Sequence, residues 1–125
     1  SQIYYLKELK KVVDNIIFIA DSQIFEKELA KIKDLVCYCD FERHKGYDFY
    51  SYKKGIEHAQ NNGILDEVEQ LILCNDSCYA PIFPFEDGFN KMEKVGCDFW
   101  GYTQNRLNEG KNPPKHLHLQ SYFIK

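Results

Sequence analysis

Five consecutive apolar residues, Ile16-Ile17-Phe18-Ile19-Ala20, constrain this chain more than anything else in it. The run is rich in β-branched side chains and is closed by Asp14-Asn15 before it and Asp21-Ser22 after it. A strand with one wet face alternates polar and apolar residues. An unbroken apolar run needs cover on both faces, as in a parallel sheet packed between helices. It is also far below the ~20 apolar residues that a membrane helix requires.

The rest of the chain is punctuated to match. Ile3, Leu6, Leu9 and Val13 recur at helical spacing, which predicts a helix over Ile3 to Val13. Ser22 is a plausible N-cap for a second helix, Gln23 to Lys33, offering Ile24, Phe25, Leu29 and Ile32 to a core. A strand is expected over Leu35 to Cys39. A helix over Phe49 to Asn61 follows, stopped by Asn62-Gly63. Then come a strand from Val68 to Cys74, an extended loop at Pro81 and Pro84, a helix from Phe85 to Val95, and strands over Asp98 to Tyr102 and Leu117 to Ile124. This alternation predicts an α/β fold: one three-layer domain over residues 1–125, with a mostly parallel sheet flanked by helices.

With 44% hydrophobic residues and a net charge of −3, disorder is excluded. The same near-neutral balance argues against nucleic acid as a partner. The five cysteines are an odd number, which favours reduced thiols. The spacing of Cys37, Cys39, Cys74 and Cys78 fits zinc poorly.

In open α/β sheets, ligands bind at the carboxyl ends of the strands. Three polar clusters are expected there: Asp21-Ser22, Asp40-Phe41-Glu42-Arg43 and Asn75-Asp76-Ser77. Asp76 suits a hard cation, Mg²⁺ or Mn²⁺, held by one carboxylate and substrate phosphates. Taken alone, the tripeptide suits a turn cap better. Asp21 could meet a base or ribose, or it or Ser22 could cap the next helix. A phospho-acceptor role for Asp21 lacks a supporting acidic pair. Arg43, His44, Lys45, Lys53 and Lys54 form a basic cluster beside Gly46, suited either to phosphate or to a solvated face. Trp100, Tyr102, Tyr122 and Phe123 could stack on a sugar or pack in a core.

Four segments together resemble one family: Gly46-Tyr47-Asp48-Phe49, Leu71 to Pro81 with Asn75-Asp76-Ser77 at its centre, Asp98-Phe99-Trp100-Gly101, and His118 to Phe123. They resemble the rhamnan synthesis protein F family of bacterial surface-polysaccharide biosynthesis, over roughly residues 15–125. The resemblance implies a nucleotide-diphospho-sugar transferase (GT-A) like fold. It also implies transfer of a sugar, rhamnose in the namesake, from a nucleotide-diphospho-sugar donor to a glycan acceptor. It assigns the divalent cation and diphosphate to Asp76, with Asn75 and Ser77 as neighbours. Asp21 and Ser22 would lie near the nucleotide, and Asp48 near base, ribose or diphosphate. The usual motif has two aspartates, where Asn75 and Ser77 stand here. Asp98 is the candidate general base. The chain reads as short for a whole transferase, so it is expected to be part of a longer protein. That protein would work in the cytoplasm, at the inner membrane face. The alternative is a non-catalytic carbohydrate- or partner-binding module on the same fold.

Overall fold

The computed structural model describes residues 2–76, 81–105 and 118–124. Helices and strands alternate as the sequence pattern requires. In order they are α1 (Gln2–Leu9), β1 (Ile17–Ile19), α2 (Glu26–Ile32), β2 (Tyr38–Asp40), α3 (Tyr47–Asn61), a 3₁₀ turn (Ile64–Glu67), β3 (Leu71–Leu73), α4 (Phe85–Val95), β4 (Phe99–Asn105) and β5 (His118–Ile124). No helix among the described residues is long and apolar enough to cross a membrane.

The expected single, mostly parallel sheet is corrected. The described residues form two sheets, the first parallel and the second antiparallel. β1 and β2 pair from Ile17↔Tyr38 to Ile19↔Asp40, with α2 as the crossover. The second sheet has the order β3-β5-β4, and both of its ladders are antiparallel. Since β3 and β4 each oppose β5, they run parallel to one another and are joined through α4. They form a β-α-β unit whose strands stand one place apart, and β5 fills the slot between them. The alternating pattern reports the crossover but not the later strand that enters it.

The core gathers where α1 meets the first sheet. Leu6, Leu9, Ile16, Ile32 and Phe85 are buried, and Phe18, Leu29, Val36, Phe41 and Phe89 pack around them. Two expectations about α2 are overturned. Its N-cap is Phe25 in extended geometry, with no side-chain capping bond, so Ser22 does not cap it. Glu26 and Glu28 in the first turn meet the helix dipole instead. Because Phe25 lies outside the helical turn, its ring leaves the inward stripe of Leu29 and Ile32 and is 82% exposed.

α4 keeps the predicted bounds because its ends are chemically marked. Pro84 stands before the first turn, and Gly96 takes the left-handed φ of 69° after the last. Within it, Gly88 faces the Tyr102 ring, whose hydroxyl donates to the Phe85 carbonyl at 3.2 Å. Burial, then Asp87 and Glu86, hold that phenol above its ordinary pKa. A methyl at Gly88 would collide with Tyr102, whereas one at Gly55 in α3 would rest 3.5 Å from Ile17. The two glycines therefore predict opposite signs. Gly55→Ala should stabilise by about 0.5–1 kcal/mol through helix propensity. Gly88→Ala should destabilise by about 1–3 kcal/mol through overpacking. Paired urea titrations check both.

Candidate functional site

β1 and β3 are not paired. Residues of both strands line an open cleft of about 1290 Å³, together with Ser51, Gly55 and Ala59 of α3. Clefts that take small molecules run to roughly 300–1,000 Å³, so this one could hold more than a monosaccharide. Asp21, Ser22, Tyr47, Asp48, Asn75 and Asp76 all line it.

Asp21 follows β1 and is spent on the loop beyond β2. Its Oδ1 accepts the backbone N–H of His44 at 2.7 Å and that of Lys45 at 3.1 Å. Those two bonds, Lys45 first, hold its carboxyl below the ordinary carboxylate pKa. The imidazole of His44 extends the latch. Its Nδ1 accepts the Gly46 N–H at 3.0 Å, which leaves the proton on Nε2 to donate to Ser51 Oγ at 3.0 Å. Gly46 is required by close approach, because any Cβ there would strike Tyr50. Its neighbours carry the backbone strain: Lys45 at φ 56° and Tyr47 at φ 55° are both left-handed.

A folded-state pKa below the unfolded one means that Asp21 adds stability above the unfolded value, near pH 4. That stability is lost as pH falls through the lower folded value. Urea midpoints followed from about pH 6 to about pH 3 should fall more steeply in the native chain than in Asp21→Asn.

The second gathering point is the end of β3. Asn75 Nδ2 donates to Asp48 Oδ2 at 2.8 Å, tying this strand end to the first turn of α3. Exposed Asp76 accepts from the amide of Gln2, so the first turn of α1 also reaches the site. Asp21, Ser22, Asp48, Asn75 and Asp76 are thus brought to one cleft. Asp98 is not. In the β3-β5-β4 register, Leu71 and Phe99 stand level through Ile124. Asp98 therefore lies at the amino-terminal edge of the sheet, roughly 15 Å along the strand direction from Asn75. Ser77 lies outside the described residues.

The basic cluster is largely committed elsewhere. Lys54 pairs with Asp40 at 2.7 Å and Glu42 at 3.1 Å, and the Asp40 bond foremost raises its pKa. Lys53 lies 3.6 Å from Glu57.

A family model described as rhamnan synthesis protein F matches residues 16–125. The chain belongs to the rhamnan synthesis protein F family. Membership ties it to rhamnan and polysaccharide synthesis. No curated protein and no solved structure matches the chain.

Against that family background the charge of the cleft is informative. Its described lining includes the carboxylates Asp14, Asp21, Asp48, Glu67, Glu69 and Asp76, and no Lys, Arg or His. No three His, Cys, Asp or Glu side chains among the described residues converge on a metal position. The residue that sequence reasoning missed in this rhamnan synthesis protein F chain is Tyr47. It lines the cleft, yet 84% of it is exposed. A tyrosine opening a helix gives no sequence sign of a left-handed backbone; the neighbouring Gly46 was the available hint.

Proposed function

We propose that the cleft binds a nucleotide-diphospho-sugar and that the chain is a glycosyltransferase, or the donor-binding part of one. It would pass a sugar such as rhamnose to a growing bacterial surface glycan. The bond between Asn75 and Asp48 carries this reading, because it joins the ends of distant segments around a single cleft. Asp48 and Asp21 would meet hydroxyl or N–H groups of the nucleoside, with Ser22 beside them.

Asp76 would hold a divalent cation on the diphosphate. The donor chemistry fits: Mg²⁺ commonly uses one or two carboxylates and completes its shell with water and phosphate oxygens. The partner of Asp76 is the neutral Gln2 amide, and the cleft lining contributes carboxylates but no cationic side chain among the described residues. An anionic diphosphate there calls for a counter-charge. When bound, the cation would stabilise the departing diphosphate. The reading sets the chain in the cytoplasm, at the inner membrane face.

A second reading is a non-catalytic carbohydrate-binding module. The separation of Asp98 from Asn75, and its absence from the cleft lining, favour it, as does Asn75 at a position where an acid is usual. Melting curves with a panel of nucleotide-diphospho-sugars, with and without Mn²⁺ or Mg²⁺, separate the two. A metal-dependent rise supports the transferase. Unchanged melting with every donor, and a rise with free glycan, would leave the module.

A further inference from the structure

The acidic lining and the exposed ring at its lip point to a second ligand chemistry in the same cleft. We propose that Tyr47 is the platform on which a neutral glycan ring stacks, with Asp48 accepting a hydroxyl from it. This rests on the carbohydrate role proposed above but is independent of the donor.

Three observations carry it. Tyr47 is 84% exposed while lining the cleft, so its ring is offered to the opening and is not part of the core. Its backbone is held at φ 55°, a conformation that a bulky residue adopts only when its surroundings enforce it. Those surroundings are on both sides. Upstream, Asp21 fixes the amides of His44 and Lys45, and His44 accepts from Gly46. Downstream, Asn75 anchors Asp48. The bond from Asn75 uses one of the several lone-pair positions of the Asp48 carboxylate, leaving the others for incoming donors.

The charge selects the ligand. A phosphate beside Asp48 would face a like charge, and the described cleft lining includes no cationic side chain to offset it. A sugar ring has no such conflict. Its C–H face suits an aromatic plane, and its hydroxyls donate to carboxylates. The size of the cleft leaves room for a glycan ring beside a donor. The ring on Tyr47 would then belong to the glycan that receives the sugar.

The test titrates a neutral rhamno-oligosaccharide, without nucleotide or metal, into the native chain and three variants. Native protein should bind it. Tyr47→Ala should bind about tenfold more weakly, while Tyr47→Phe stays within about threefold. Tyr47→Gly should lose binding like Tyr47→Ala yet melt no lower than the native chain, since glycine accepts a positive φ without strain. Equal binding by Tyr47→Ala would overturn the proposal. So would a loss in Tyr47→Phe as large as in Tyr47→Ala, because the hydroxyl and not the ring face would then matter. Absence of glycan binding by the native chain overturns it as well. A metal-dependent response to nucleotide-sugar in that same sample would leave the donor reading standing.

Discussion

Phe85→Ala should remove about 3–5 kcal/mol of folding stability, the range expected when a buried aromatic is cut to a methyl group. Small domains have only about 5–15 kcal/mol in total, so this change approaches global unfolding. The reason is the number of elements that meet on this ring. Phe85 is 5% exposed and opens α4. Tyr5 of α1 stands edge-on to it at 5.6 Å, and Tyr102 of β4 is tilted against it at 6.1 Å. Its carbonyl also receives the Tyr102 hydroxyl. Truncation therefore loosens the core on α1 and the second sheet together. Trp100, edge-on to Phe89 at 5.4 Å, supplies a fluorescence probe for urea unfolding. A loss below about 1 kcal/mol would mean that Phe85 does not join these elements. Phe85→Leu, which keeps more of the volume, should cost about 1.5 kcal/mol or less.

Asp76→Ala should erase the metal-dependent response to donor while leaving the unliganded protein nearly as stable as before. A ligand at a hundred times its dissociation constant stabilises the native state by about 2.7 kcal/mol. In a chain of this size that corresponds to roughly 10 °C of melting temperature. Losing the cation's carboxylate should reduce the shift to about 1 °C or less. The unliganded melting temperature should hardly move, because Asp76 is exposed and its partner is the Gln2 amide at the start of α1. Asn75→Ala offers a contrast. It releases Asp48 from β3 without removing a carboxylate, so it should weaken binding with metal or without it. A full donor response in Asp76→Ala would sink the metal role.

What could be read along the chain depended on how local its cause was. The bounds of α4 were legible because Pro84 and Gly96 mark them through their own backbone preferences. The burial of Ile16 and Ile32 was legible from apolar spacing. Phe25 was not, since its exposure follows from where α2 begins. The acidic strand ends were visible as Asp21-Ser22 and Asn75-Asp76. Their convergence with Asp48 is a fact of packing between segments 27 residues apart. The basic cluster misled for the same reason: charge in the sequence says nothing of whether Asp40 and Glu42 already hold Lys54. Asp98 stands one residue before β4, not in it as expected, and only the ladder through β5 reveals at which edge of the sheet it lies.

The position of β5 also bears on the order in which the molecule can be made. β1, α2 and β2 are complete within the first third of the sequence, and the ladder of their parallel pair lies wholly within it, although Phe85 and Phe89 join the core beside them only later. Among the described residues β3 and β4 share no ladder; each pairs with β5. During synthesis both must wait, edges bare, until residues 118–124 leave the ribosome. The half of the chain that carries Asn75 and Asp76 is thus the half that assembles last.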